Sequence, residues 1–468
     1  MSISKNLPIS SVELDNEHLP IQRVILDNMT LILPDVFGTS YTIKVFAYNS
    51  DVVFVSGDGD NCGLWSYTAS TDTWKQLFGE GTSFDTFYLL SDGNCIITSN
   101  VIDGAGPANM GLLLYDASTD SVTQAYKSGF LWVNRYRLDD GSVLITSYNT
   151  DPGVLLYDAT TKKISLVYTE GGSWDKFQKL PNGNCLIGGQ YSGSDGLLLY
   201  KSSSRTVVQI ERNNYGWYTF QVLTNGNCLL GNSQKLTGVF LYDASDDTVK
   251  SIYDTGTSWI NFTQLTNGKC LISSSVSATP GILLYDPTTN NVSQIYDVGY
   301  DWEHFYVLNN GNCLISCGNS GSSGILFYDA QTNNFTTAYT LGYSWSDAQR
   351  LPNGDYLISG SSADKGLLLY KESERTFTKI YEGTWRNFFM LPDGNCLISG
   401  GGSSYAGVLL YKMSNETVTS EYPKSYGWDT FELLDNGDCI ISKPNTKNAA
   451  KLRYFADTQT IRAYAYKV

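Results

Sequence analysis

The chain has 468 residues, with 31 Lys plus Arg against 46 Asp plus Glu and a formal net charge of -15. That balance repels phosphate backbones and anionic headgroups, and no local basic patch offsets it, so nucleic acid and charged membrane surfaces are excluded as partners. Only 16% of residues are charged, whereas Tyr, Asn, Ser, Thr and Gly abound, which predicts an uncharged-polar, aromatic surface suited to protein or glycan partners.

Residues 1–20 include Asp15, Glu17 and His18 and lack a basic segment leading into an apolar stretch, so no signal peptide is expected. No uninterrupted run of about 18 apolar residues suggests membrane insertion. Synthesis in a reducing cytosol follows, compatible with later incorporation into a particle. Ile21-Gln22-Arg23-Val24-Ile25-Leu26, the turn Asp27-Asn28 and Thr30-Leu31-Ile32-Leu33 read as a hairpin. Residues 1–37 form an N-terminal arm in this reading, a cap on the main body or a contact for a partner.

From residue 38 onward one unit repeats ten times. An aromatic residue (Tyr41, Phe84, Trp132, Trp174, Trp217, Trp259, Trp302, Trp345, Trp385, Trp428) is followed nine positions later by a turn residue (Ser50, then Gly93, Gly141, Gly183, Gly226, Gly268, Gly311, Gly354, Gly394, Gly437). The repeat from Pro181 shows the parts. Asn182-Gly183 is a turn, Cys185-Leu186-Ile187 a short strand A, and Gly196 to Tyr200 an apolar strand B; Val207 to Ile210 make strand C and Trp217 to Leu223 strand D. Four short strands in about 43 residues leave no room for helices. Strand B recurs, for instance as Ile282-Leu283-Leu284-Tyr285 and Val408-Leu409-Leu410-Tyr411, apolar at every position because both sheet faces are covered. The copies at Leu64-Trp65-Ser66-Tyr67 and Lys451-Leu452-Arg453-Tyr454 are degraded, as terminal repeats often are. Asp or Lys follows each regular tyrosine, then usually a Ser/Thr/Asn cluster, as in Asp116-Ala117-Ser118-Thr119, and Asp and Asn there are expected to bond the backbone two residues on and to hold a tight turn.

The spacing of the turn glycines (48, 42, 43, 42, 43, 43, 40 and 43 residues) admits no linker. The expected fold is all-β, a single ten-bladed β-propeller over residues 38–468. The last A, B and C strands are expected to be completed by Tyr41-Thr42-Ile43-Lys44-Val45-Phe46, closing the ends. The pattern resembles the β-propeller superfamily over about residues 38–468, and the Tyr-Asp-x-x-Thr turn is similar to kelch-like blades. A Gly-Gly pair stands at Gly188-Gly189, but the aligned positions read Thr98-Ser99, Ser273-Ser274 and Ser399-Gly400, and the Gly-His and Trp-Asp pairs of WD40 blades do not recur.

Seven of nine cysteines (Cys95, Cys185, Cys228, Cys270, Cys313, Cys396, Cys439) occupy one repeat position, which holds Val52, Val143 and Tyr356 in the other copies. Exchange with Val and Tyr marks a packing site rather than a metal ligand or a disulfide. With only His18 and His304, no histidine catalysis is expected; His304 stands where other repeats carry Lys, Thr, Asn or Asp. The breaks in the repeat are Val101–Met110, Arg135, Arg137 and Asp58-Gly59-Asp60-Asn61, the last resembling a calcium loop without its downstream Glu. No cofactor, metal or enzymatic activity is implied. The A–B loops vary most, and the C–D connections Val298-Gly299-Tyr300-Asp301 and Leu341-Gly342-Tyr343-Ser344 bring aromatic rings to the same face.

Two functions fit. One is a non-enzymatic interaction or structural propeller in a large assembly, such as a viral particle or tail. The other is a multivalent carbohydrate-binding lectin stacking sugars on Trp174, Trp217, Trp259, Trp302, Trp345, Tyr300 and Tyr343. The alternative reading of these Trp residues is as wedges between blades.

Overall fold

An apolar run, an Asn-Gly or Asp-Gly turn and a second apolar run dictate a hairpin, and that hairpin is the unit from which this chain is built. A computed structural model of the chain describes residues 9–12, 23–26, 29–32, 43–57, 63–79, 84–99, 111–126, 132, 134–147, 152–171, 173–189, 196–212, 216–232, 237–274, 281–298, 302–317, 324–341, 345, 347–360, 366–400, 407–422, 428, 430–442 and 451–464. These residues form ten four-stranded antiparallel sheets and one three-stranded sheet. Every four-stranded sheet runs in chain order D-A-B-C. Blade 6 is typical, with strands Trp259–Gln264, Cys270–Ser274, Ile282–Asp286 and Asn291–Tyr296. The chain parts into two compact units, residues 1–218 with 245–249 and residues 219–244 with 250–468. Blades 1 to 4 belong to the first and blades 6 to 10 to the second, as does most of blade 5, whose strands Trp217–Val222 and Thr248–Thr257 begin in the first.

Turn chemistry sets the blade boundary. In blade 6 the amide of Leu265 donates to the Lys269 carbonyl (2.8 Å) and that of Gly268 to the Leu265 carbonyl (3.0 Å), with Gly268 at φ 83°. So short a connection forces strand D to pair with the strand A that follows it. The expected completion of the last blade by residues 41–46 is therefore corrected. Ile43–Ala47 pairs with Val52–Gly57 in blade 1, and Thr430–Leu433 pairs with Cys439–Ser442, so blade 10 has a strand D of its own. The register also moves the first repeat by one residue: Val53, not Val52, faces Tyr67 as Cys95 faces Tyr115. The expected N-terminal hairpin is present as Arg23–Leu26 paired with Met29–Ile32, and Ile9–Val12 adds a third strand.

Strands A and B are buried on both faces because blades pack face to face. One core cluster joins Leu271, Ile282 and Leu284 of blade 6 to Trp302, Cys313, Ile315 and Tyr328 of blade 7, and the other face of blade 7, through Leu314, Ile325 and Phe327, packs on Trp345 and Ile358 of blade 8. Within a blade, the residue after the turn glycine clamps the far end of strand B. The Asn312 side-chain oxygen accepts the Ala330 amide (2.9 Å), and Asn94, Asp355, Asn395 and Asp438 do the same for Ala117, Glu372, Met413 and Ala456. Strand B begins with a bulge, and at Gly281 (φ 101°) a Cβ would stand 2.0 Å from the Tyr296 carbonyl oxygen, so glycine is required there.

All ten B–C turns place a non-glycine residue in the left-handed region, five after the strand B tyrosine: Asp72, Asp120, Lys162, Arg205, Asp247, Asn290, Asn333, Arg375, Glu416 and Gln459. Asp and Asn tolerate this conformation, whereas Lys, Arg and Glu are strained by it. Three of the strained residues reach the preceding blade through ion pairs. Arg205 pairs with Asp158 (3.3 Å), Arg375 with Asp329 (3.8 Å) and Glu416 with Lys371 (2.7 Å), and Asp247 likewise pairs with Lys201 (2.7 Å). In these four pairs the partner is the residue after the preceding blade's strand B tyrosine, with the polarity reversed at Lys201/Asp247 and Lys371/Glu416, whereas Asp120 pairs with Lys75 of the preceding blade's strand C. A glycine would relax the turn and lose the pair. Lys201→Asp alone is expected to lower stability by about 0.5–1 kcal/mol, because it sets two carboxylates together, and adding Asp247→Lys is expected to restore it. Chemical denaturation of the two variants checks this; equal stability of single and double variants would remove the pairing role.

Candidate functional site

The strand D aromatics are where the sequence suggested a ligand face, and several consecutive blades build their environment from the same contacts. Strand C ends in a tyrosine whose ring meets the following tryptophan edge-on. Tyr253 and Trp259 have centroids 6.0 Å apart at 81°, Tyr296 and Trp302 6.0 Å at 73°, and Tyr339 and Trp345 5.6 Å at 87°. The indole N–H turns back onto the connection leading to it. Trp259 donates to the Thr255 carbonyl (2.9 Å), Trp302 to Val298 (3.2 Å), Trp345 to Leu341 (3.1 Å) and Trp385 to Glu382 (2.9 Å). The tryptophan carbonyl accepts a hydroxyl from strand A of the blade before: Ser316 donates to Trp345 (2.5 Å), and Thr146, Ser273, Ser359 and Ser399 donate to Trp174, Trp302, Trp385 and Trp428. At Gly231, which stands in that strand position in blade 5, a Cβ would lie 2.6 Å from the Trp259 carbonyl oxygen.

This environment leaves no ring face for a sugar. Trp174 and Trp217 are 0% exposed, Trp345 1%, and Trp259 and Trp302 2%. Trp174, Trp259, Trp302 and Trp345 fill the space between blades as wedges, and a stacking role for the five indoles is corrected by their burial. Tyr300 and Tyr343 lie outside the described residues, as do Val101–Met110 and Asp58-Gly59-Asp60-Asn61. Arg135 takes the place that Phe177, Phe262 and Phe305 hold in other blades, three after the tryptophan. Its guanidinium sits 5.5 Å from the centre of the Tyr88 ring and donates to the Thr98 hydroxyl (3.2 Å) and the Trp132 carbonyl (3.3 Å). In the neighbouring blade the equivalent contact is the stack of Tyr136 on Phe177 (5.5 Å, 12°), so a cation–π contact replaces a ring pair. Arg137 is exposed at the end of its strand, and His304 is half-buried with Nε2 4.0 Å from a Glu303 carboxylate oxygen.

The repeated thiols belong to the core. Cys95, Cys185, Cys228, Cys270, Cys313, Cys396 and Cys439 are free and buried, and among the described residues no group of three or more His, Cys, Asp or Glu is placed to hold a metal. In blade 8 the pair Ala348 and Tyr356 stands where blade 7 has Phe305 and Cys313, so ring volume moves from strand D to strand A, and the Tyr356 hydroxyl donates to the Val307 carbonyl (3.0 Å).

What the connections do expose is the residue four before the tryptophan. Val298 is 60% exposed and Leu341 58%, the highest values for large apolar side chains among the described residues. The sequence displayed these connections, but nothing in a pattern of Val-Gly-Tyr and Leu-Gly-Tyr distinguishes an outward apolar side chain from a buried one.

With ten antiparallel four-stranded blades packed through aromatic wedges, the chain is an all-β propeller. No family model and no curated protein matches it. Among solved structures it is similar to the extracellular domain of BT4673 from B. thetaiotaomicron (12% identity over 94% of this chain and 70% of that one, TM-score 0.28). It is also similar to the Dos1 propeller (12%, 68% and 90%, 0.37) and to virginiamycin B lyase from Staphylococcus aureus (10%, 54% and 85%, 0.32).

Two outcomes follow for the wedges and the thiols. Trp302→Ala is expected to destabilise the protein by about 3–5 kcal/mol in a denaturation experiment and Trp302→Phe by clearly less, since the ring fills most of the gap; a Trp302→Ala protein of unchanged stability would remove the wedge role. Burial pushes the thiols of Cys95, Cys185, Cys270 and Cys396 from an ordinary 9.0 up to about 12. A folded thiol that holds its proton more tightly than the unfolded one contributes stability that is complete below pH 9 and lost between pH 9 and 12. The melting temperature is therefore expected to be flat up to about pH 9 and to fall beyond it, and these thiols are expected to resist iodoacetamide until the chain is unfolded.

Proposed function

We propose that the chain is a non-enzymatic interaction propeller that engages a protein partner through the C–D ends of its blades. The observation that carries this reading is that consecutive blades fix the same backbone carbonyl with an indole N–H and leave the side chain of that residue outward, as at Thr255, Val298 and Leu341. Such an arrangement separates scaffold from contact. The indole contact is the same at Trp259, Trp302 and Trp345, while the outward residue varies from Thr255 to Val298 to Leu341, which is how a repeated fold carries specificity on its connections.

A phage-displayed random peptide library and a glycan array, screened in parallel against the full chain, test the reading. Enrichment of peptides with no glycan signal is the expected result. Glycan binding without peptide enrichment would replace it with a lectin, whose sites would have to use side chains other than the five buried indoles.

A further inference from the structure

Blade 10 departs from the others on one face. Leu452 and Tyr454 turn toward blade 9 and join its core, so Lys451, Arg453 and Phe455, which alternate with them along strand Lys451–Phe455, share the opposite face. In blades 6 and 7 the positions of Lys451 and Arg453 belong to Ile282 and Leu284 and to Ile325 and Phe327, all of them buried. Arg453 instead keeps 23% of its side chain exposed.

Strand register fixes what stands beside it. Arg453 lies directly opposite Arg462 of strand Thr460–Tyr464, so the two side chains share a face, an arrangement in which like charges repel. One ring joins them. The Arg453 guanidinium sits 5.0 Å from the centre of the Phe455 ring and that of Arg462 5.6 Å from the same centre. Asp438 neutralises Arg453, accepting from its Nε (2.9 Å) and Nη2 (2.6 Å). Arg462 is exposed and has no carboxylate partner among the described residues. A terminal blade needs a polar outer face for solubility, but solubility alone is served better by charges kept apart than by two arginines set opposite each other over one ring.

We infer that Arg462 and Phe455, with Arg453 beside them, receive an acidic segment of a protein partner in which an Asp or Glu stands two residues from an apolar side chain. The carboxylate takes the planar fork of Arg462 and relieves its repulsion by Arg453. In an extended segment the residue two positions on points the same way, so its apolar side chain covers the half-buried Phe455 ring. The net charge of -15 repels a polyphosphate chain, whereas at physiological salt it is screened over about 8 Å and leaves the local cations to attract a single carboxylate. This contact lies on a strand face rather than at the C–D ends and is independent of the reading above.

The full chain is titrated, by fluorescence anisotropy, into a labelled peptide of about 8 residues repeating Glu-Ser-Leu-Ser and into its Gln-Ser-Leu-Ser counterpart, which in extended form set the Glu or Gln and the Leu on one face. The Glu peptide is expected to bind at least about tenfold more tightly than the Gln peptide, against the net charge of the chain, and to weaken as salt is added. Arg462→Gln is expected to abolish that preference, Arg462→Lys to keep part of it because the charge remains and the fork is lost, and Phe455→Ser to weaken both peptides severalfold. Arg212→Gln, at an arginine 74% exposed on blade 4, is expected to change nothing. The melting temperature of each variant separates loss of the contact from loss of the fold. Equal binding of the two peptides, no binding of either, or an Arg462→Gln protein that binds the Glu peptide as tightly as the natural chain overturns the inference, as does tighter binding of a single-stranded oligonucleotide or of phosphatidylserine-containing vesicles than of the peptide.

Discussion

From blade 6 to blade 9 each blade is held to the next by one aromatic ring, Trp302, Trp345 or Trp385. The tryptophan that opens strand D lies between the apolar faces of two blades, its carbonyl accepts a strand A hydroxyl from the blade before, and its indole N–H fastens the connection that leads into it. A flat apolar contact between two sheets could slide, because burial of apolar area has no direction. The two polar bonds at the ring's ends give it one. That combination explains why strand A keeps Ser or Thr at buried positions such as Ser273, Ser316 and Ser359, where an aliphatic residue would leave a buried carbonyl without a donor.

The B–C turns solve the same problem at their own end by a different means. At four of them a left-handed residue aims its side chain at the preceding blade, and ion pairs of either polarity match the two blades. Backbone strain at Arg205, Arg375 and Glu416 is offset by an inter-blade ion pair that glycine could not make. Because the repeats are so alike in their apolar positions, these pairs are among the few features that distinguish one blade junction from another, and they bear on specificity of packing more than on total stability.

For function, the consequence is a division of labour along each blade. Everything that recurs unchanged, from the thiols to the indoles, is withdrawn from solvent, and the residues in contact with the surroundings are those that the repeat leaves free. The outward residues at these connections, Val298 and Leu341 among them, are therefore not a modification of the wedge but a by-product of it.

The amino-acid sequence by itself determined the strand content, the ten repeats, the turn glycines, the packing role of the cysteines and the two-sided burial of strands such as Leu283-Leu284. All of these follow from local turn chemistry and from hydrophobic periodicity. It did not determine blade phase. Strand D can be counted with the strands before it or after it, and only the hairpin bonds at Leu265, Gly268 and Lys269 show that it pairs forward, which removes the need for residues 41–46 to complete the last blade. Nor could it tell an indole stacked on a sugar from one wedged between sheets, since the same ring chemistry serves both and exposure is a property of neighbours distant in the chain. Tertiary structure decided that Trp302 is buried and Val298 outward, because burial there is supplied by blade 6 across a junction that no local pattern encodes.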